Sequence, residues 1–407
     1  MKIQLPHSLP FSLAALGGDL KCRPAVAIGA EADVLDEIGD LASPEKQDAL
    51  ETALEKIAPT AIVCDRHPGY FSTALAERVA AERGCKLFQV QHHRAHVAAA
   101  CLEFGLYEEQ VIGLAFDGTG YGDDGVAWGG EMFTGSLAQG FARAAHFAPV
   151  PLPGGDAAVR APWRIALALL LERGVSEAEA GQWLASRRVP LVNSLSLGAR
   201  VGVREPLPAS QGEATSHKGR DFDLASSKGG GFELFRAGLN KNVAIGRSTA
   251  LGRWFDAVSA LLGVRVVVDF EAQGAIELQK LAEANAYDVQ PGDWPFAVSE
   301  TKPHVIDFPA LPATARRAPT DAPRLAYAFH HAAAAAVAAA AARLAGETGA
   351  RVVLASGGVF LNRLFDRLLA AALADAGLEY RKPQKLPPGD QAIALGQIGL
   401  VLAEVAR

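Results

Sequence analysis

Short apolar strands alternate with helical segments through the first hundred residues, and this alternation constrains the fold more than any other feature. PAVAIGA (24–30) is a short β run. Residues 43–58, SPEKQDALETALEKIA, open with Ser43 in the N-cap position, Pro44 at the first helical position and Glu45 in the first turn. Leu50, Leu54 and Ile57 then recur on one helical face. AIVCD (61–65) is a buried-type strand that ends in an acid, residues 72–84 form a second capped helix with a terminal glycine, and LFQVQ is a strand again. Such repetition implies parallel neighbouring strands and a three-layer α/β lobe.

A second block begins near Val111. VIGLAFDGTGYG, VAWGGEMFTG and ARAAHFAPV form three successive strands joined by glycine-rich turns. Helices are expected at 163–173 and 249–262, a very Ala-rich helix at 329–344, a strand entering a glycine turn at 351–358, and a C-terminal helix over 391–406. A chain of 407 residues is more than one compact core commonly holds. The expected organisation is therefore an α/β protein of two related lobes facing a ligand cleft. Residues 1–108 form an N-terminal lobe, 109–388 a second lobe with a mobile polar insert near 206–231, and 389–407 a closing C-terminal helix.

Composition excludes several classes. Hydrophobic residues make up 50% and charged residues 21%, so the chain can bury enough apolar surface to fold. With 39 Lys and Arg against 45 Asp and Glu, no basic surplus exists for a nucleic-acid partner. No membrane association is expected, because no uninterrupted apolar run reaches the ~18 residues a bilayer span needs. Pro6, Pro10, Gly17 and Gly18 break the N-terminal apolar patch, which disfavours a signal peptide. Cys22, Cys64, Cys85 and Cys101 form no C-x-x-C pair, so a reducing cytoplasm fits better than a disulfide scaffold or a structural zinc site.

Four segments carry candidate chemistry. In QHHRAH (91–96), His92 and His96 stand at i and i+4 and share one helical face, the spacing of a two-imidazole metal site; a surface histidine cluster is the alternative. In DGTGYG (117–122), Asp117 ends an apolar strand and turns into glycines. This places a carboxylate at a sheet edge, with the backbone at Gly118, Thr119 and Gly120 able to approach phosphate; a hairpin turn is the alternative. In SGGVFLN (356–362), Gly357 and Gly358 lie between a strand and a helix start, with Asn362 near a nucleoside, or else form a structural βα turn. Asp390 caps the last helix and is available as a third metal ligand. Arg160, Arg164 and Arg253 are cations that either neutralise a phosphate or make surface salt bridges. No G-x-S-x-G, P-loop lysine motif or Rossmann G-x-G-x-x-G occurs, so serine-hydrolase, P-loop kinase and dehydrogenase readings lack support.

Taken in order, VQHHRAHVAA, FDGTGYGDDGVAWGGE, PLPGGDAAVRAPWR, LGRWFDAVSALLG, FEAQGAIEL, SGGVFLN and GDQAIALGQ resemble the HypF family of hydrogenase-maturation carbamoyltransferases, as do ALGGDLK, IGDL and VCDRHPGYFST. The resemblance covers residues 13 to 397 and lies in the family's C-terminal carbamoyl-transfer region. It implies a two-lobed actin-like ATPase (ribonuclease-H-like) fold, carbamoyl-adenylate as an adenine-nucleotide substrate, and one divalent metal, iron or zinc, between the lobes. By motif matching, His92 and His96 are metal ligands, Asp390 closes the metal site, and Asp117 is an additional ligand or an orienter. Gly118, Thr119, Gly120, Gly357, Gly358 and Asn362 hold the nucleotide, and Asp117, Arg160 and Arg164 are catalytic. The implied acceptor is the C-terminal cysteine of a HypE-like protein.

Full-length members carry acylphosphatase-like, zinc-finger and adenylate-forming domains before this region. The resemblance therefore implies a truncated form that receives carbamoyl-adenylate rather than making it. Gly389 and Gln391-Ala392 replace the residues the family usually carries around Asp390. Two rival readings follow: O-carbamoylation of a small hydroxyl compound, separable by acceptor preference, and a noncatalytic nucleotide-binding partner of HypE.

Overall fold

The apolar runs pair into two sheets of the same design. The computed structural model describes residues 1–187, 245–284, 287–311, 313 and 321–407. The polar insert expected at 206–231 lies outside the described residues. The first sheet holds β1 (Lys2–Gln4), β2 (Leu13–Ala15), β3 (Ala25–Ile28), β4 (Glu31–Val34), β5 (Ala61–Asp65) and β6 (Lys86–Val90), in the order β1-β4-β3-β2-β5-β6. β2, β3 and β4 are an antiparallel meander, and β5 and β6 then add in parallel beside β2. Helices α1 (Pro44–Ile57) and α2 (Phe71–Arg83) make the crossovers that parallel pairing requires. Helix α3 (His92–Phe104) begins after the single residue Gln91, whose side chain accepts from Arg94 N and caps it.

The second sheet repeats this plan. β7 (Val111–Tyr121), β8 (Ala127–Ser136) and β9 (Gly140–Phe147) form the meander; Val352–Ser356 lies parallel beside β7, and Glu379–Arg381 parallel beside that. Both lobes thus order their strands as third, second and first of a meander followed by two parallel strands, which is the two-lobed actin-like ATPase fold. Strand β5 up to Cys64 and β7 up to Phe116 are apolar because both of their faces are covered there.

Three local expectations are corrected. Asp117 does not end its strand: β7 continues to Tyr121 through a register shift between Phe116 and Gly120, so the acid sits in an irregularity that turns it out of the ladder. Helix α2 starts at Phe71 and is capped from elsewhere in the chain, since Asp19 accepts from Phe71 N at 2.7 Å and Ser72 N at 2.9 Å. The Ala-rich helix runs over Ala322–Thr348, 27 residues. It is long and apolar enough to cross a bilayer, yet 72% of its apolar window is buried inside the protein, which makes it a core helix.

The C-terminal helix (Ile393–Ala406) packs against α3 and the first sheet, although its sequence follows the second lobe. A Cβ on Gly396 would stand 1.8 Å from the Ala95 carbonyl oxygen, so glycine lets the two helices meet at backbone distance. Asp390 opens a short 3-10 turn (Asp390–Ala392) whose N-cap is Gly389. It therefore does not cap the last helix, and its side chain is left for another role. Gly396→Ala should force the helices apart. The expected loss is about 1–3 kcal/mol, read as a lower denaturant midpoint; an unchanged midpoint would show that this crossing is slack.

Candidate metal centre and adjoining cavity

Strand β5 ends in Asp65, α3 begins with His92, and the β7 irregularity carries Asp117, so three side chains converge at the carboxyl edges of the two sheets. The turn before the C-terminal helix adds Asp390 from the opposite end of the chain. His92, His96, Asp117 and Asp390 offer four donor atoms that all lie within 4.8 Å of one another. His92 Nε2 is 3.7 Å from Asp117 Oδ2 and 3.8 Å from Asp390 Oδ1. His96 Nε2 is 3.5 Å and 3.6 Å from the same atoms.

The supporting hydrogen bonds orient these groups. His92 Nδ1 donates to Asp65 Oδ2 at 2.7 Å. Ser356 Oγ donates to the Pro388 carbonyl at 3.1 Å, so it accepts from His96 Nδ1 at 2.9 Å. Both imidazoles then present an Nε2 lone pair inward, and both Nε2 atoms are buried without a hydrogen-bond partner among the described residues. Gly118 N donates to Asp117 Oδ1 at 2.8 Å, which leaves Oδ2 facing the histidines.

Two imidazole nitrogens that each stand 3.5–3.8 Å from two carboxylate oxygens fit the nitrogen–oxygen edges of a polyhedron with ligand bonds of ~2.1 Å. The nitrogen–oxygen donor set suits zinc or ferrous iron, and the Asp65–His92 pair is the kind of outer-shell support that metal-bound histidine uses.

Electrostatics without an ion point the same way. Burial lowers the His92 pKa, but Asp65, Asp117 and Asp390 outweigh it and hold that pKa well above the usual histidine range. His96 is likewise raised, against burial, by Asp117 and Asp390. Asp117 is held well below the carboxylate range because the two histidines overcome its burial. Burial, with Asp117 beside it, raises Asp390. Such a cluster keeps protons that a cation would displace. His93 differs: burial and its two histidine neighbours push it well down, and its Nδ1 meets Gln91 Nε2 at 3.1 Å.

A cavity of about 270 Å³ opens directly on this cluster, and Asp117 and Asp390 belong to both. Gly118, Gly358 and Asn362 also line it. Gly120 and Gly357 do not: Gly120 lies under the His93 and His92 rings, and Gly357 is pressed against the Phe116 backbone. Thr119 stands in β7, with its side chain outside the described residues. Arg160 is exposed and Arg164 lies beside Gly154 and over the Trp163 ring; neither lines the cavity. The cavity instead takes Lys21, Arg253, Asp256, Glu271 and Gln279. The segments ALGGDLK, LGRWFDAVSALLG and FEAQGAIEL contain Lys21, Arg253, Asp256 and Glu271, and Gln279 directly follows the last of them, but nothing in their local pattern says that three distant segments share one wall.

Asn362 is the N-cap of the helix Arg363–Asp375, its Oδ1 accepting from Phe365 N at 3.0 Å, and its Nδ2 donates to His330 Nε2 at 3.0 Å. His330 Nδ1 in turn donates to the Ala326 carbonyl at 2.7 Å. Burial pulls the His330 imidazole down from 6.5 to about 4. The unfolded chain protonates this residue near 6.5 while the folded chain does not. Its contribution to stability is therefore full above that pH and is lost on acidification toward 4. The expected loss is roughly 3 kcal/mol between pH 7 and 4. Chemical denaturation across this range should show a shallower slope for His330→Gln; parallel slopes would contradict the assignment.

Fold and site define a class: a two-lobed actin-like α/β protein with a paired-histidine, paired-aspartate cluster at the floor of its cavity. A family model described as "Carbamoyltransferase, Kae1-like Domain, second subdomain" matches residues 113–231 and 224–397, and one described as "HypF Kae1-like domain" matches residues 10–103. The chain belongs to the HypF family. It is 35% identical to Carbamoyltransferase HypF2 of Cupriavidus necator across 98% of this chain and 47% of that protein. It is 34% identical to a Carbamoyltransferase HypF homolog of the same organism across 94% of this chain and 89% of that protein. The crystal structure of T.kodakarensis HypF superposes with a TM-score of 0.79 at 27% identity, covering 100% of this chain and 49% of that one. A full-length HypF in a phosphate- and nucleotide-bound form gives 0.77 at 26% identity, covering 100% and 57%. The chain thus spans about half the length of several proteins it matches.

Proposed function

We propose that this chain is a carbamoyltransferase of [NiFe]-hydrogenase maturation. It passes the carbamoyl group of carbamoyl-adenylate to a thiol of a HypE-like partner, the C-terminal cysteine, in the cytoplasm. The observation that carries this reading is the sharing of Asp117 and Asp390 between the donor cluster and the cavity. A ligand seated in that cavity has its reactive end at the cluster.

His92, His96, Asp117 and Asp390 are the residues assigned to one divalent metal, iron or zinc. When bound, such an ion supplies Lewis acidity toward an oxygen that gathers charge. Gly118, Gly358 and Asn362 face the nucleotide. The acceptor thiolate attacks the carbamoyl carbon, the bond from that carbon to the phosphoryl oxygen breaks, and AMP leaves with the electron pair. The thiol comes from another molecule. Burial pushes the Cys22 and Cys64 thiols up to about 12 and raises Cys101 as well. Cys85 lies at the start of β6, the end of the sheet away from Asp65.

The test supplies preformed carbamoyl-adenylate and a HypE-like acceptor, and follows the acceptor by mass spectrometry. The expected result is a carbamoyl group on its C-terminal cysteine, lost with Asp117→Asn. Modification of a hydroxyl compound instead would move the assignment to O-carbamoylation. No transfer to either acceptor would overturn it.

A further inference from the structure

The cavity wall contains a buried cation that no step above uses. Arg253 lies in the first turn of the helix Leu251–Leu261 and is only 4% exposed, yet it lines the cavity. Its Nη1 is 2.9 Å from Asp256 Oδ2, an ion pair without an aligned hydrogen bond, and neither Nε nor Nη1 has a hydrogen-bond partner among the described residues. Its Nη2 stands 3.6 Å from where a Gly118 Cβ would be, which puts the guanidinium beside the backbone that carries Asp117. The helix N-terminus approaches the same point: a Cβ on Gly252 would be 3.3 Å from both the Asp117 carbonyl oxygen and Gly118 Cα, and no side chain caps this helix. A buried guanidinium with unspent N–H groups and a positive helix end thus converge on one spot next to the donor cluster.

We propose that Arg253 is the phosphate-binding cation of this cavity, gripping the phosphoryl oxygens of a ligand whose reactive end reaches the Asp117–Asp390 cluster. The assignment of the phosphate to a nucleotide rests on the function proposed above; the anion site itself does not. In that reaction, breaking the bond between the carbamoyl carbon and the phosphoryl oxygen adds one negative charge to departing AMP. A guanidinium held at that oxygen stabilises the charge as it forms. The acids nearby are Asp117, Asp390, Asp256 and Glu271, with Lys21 as the second cation lining the cavity. Of the three arginines singled out in the sequence, only Arg253 lines it.

Calorimetric titration of the full chain with AMP, adenosine and inorganic phosphate tests this. The variants are Arg253→Lys, Arg253→Met, and Arg253→Met combined with Asp256→Asn, which leaves no buried unpaired carboxylate. Arg253→Met and the double variant should bind AMP roughly 10–100-fold more weakly with adenosine affinity unchanged, and Arg253→Lys should recover part of the loss. Equal weakening of AMP and adenosine would make Arg253 structural and overturn the proposal, as would unaltered AMP and phosphate affinity. Wild-type binding of phosphate alone, weakened by Arg253→Met, would keep the anion site and remove the nucleotide reading. Wild-type chain that binds none of the three probes overturns the proposal.

Discussion

His96→Ala is expected to strip about one equivalent of divalent metal from the protein. His96 is completely buried, and its Nε2 has no hydrogen-bond partner among the described residues. It stands 3.5 Å from Asp117 and 3.6 Å from Asp390, nearer to both than His92 does. Removing it leaves one imidazole and two carboxylates to hold an ion. Metal analysis after dialysis should show the difference between wild type and variant. A second readout is stability: added metal should raise the wild-type melting temperature by mass action and leave the variant's almost unmoved. Ser356→Ala should weaken metal binding less, by roughly 10–100-fold, because it removes only the partner of His96 Nδ1. Equal metal content in wild type and His96→Ala would refute the centre.

The second large effect is expected at a side chain that is not itself one of the donor groups. Glu131 is fully buried on β8, and its carboxylate is surrounded by donors. Oε2 accepts from Gly129 N at 2.5 Å and Gly130 N at 2.6 Å, and Oε1 accepts from Arg143 Nη2 at 2.9 Å and from the Thr249 hydroxyl. Burial raises the Glu131 pKa, and Arg143, Thr249 and the Gly129 N–H oppose that rise. These bonds set the β8 backbone opposite the irregularity that carries Asp117. Through Thr249 they also tie the start of the Arg253 helix to the same sheet. Glu131→Ala leaves two backbone N–H groups, a hydroxyl and a cation without their acceptor. The expected cost is about 3–5 kcal/mol, measured by chemical denaturation, with metal affinity falling alongside as Asp117 loses its seat. A loss below roughly 1 kcal/mol, the ordinary range for a substitution, would show that the network is ornamental.

Local pattern alone determined much of this protein. The apolar runs and their helical crossovers specify two α/β lobes, because strand period and helix period are properties of short windows. The i and i+4 spacing of His92 and His96 places both on one helical face for the same reason. Tertiary structure decided what spacing does not encode. Asp390 reaches His96 only because Gly396 lets the last helix cross α3 at backbone distance, an encounter between residues nearly three hundred positions apart in the chain. Asp117 is exposed to the cluster by a register shift, whereas its sequence reads as the end of a strand. Glycines that look alike in sequence divide into cavity walls, Gly118 and Gly358, and packing positions, Gly120 and Gly357, according to which neighbour approaches them. Arginine type and motif position do not separate Arg160, Arg164 and Arg253; only the folded chain puts one of them in the cavity wall, because burial and orientation are set by long-range packing.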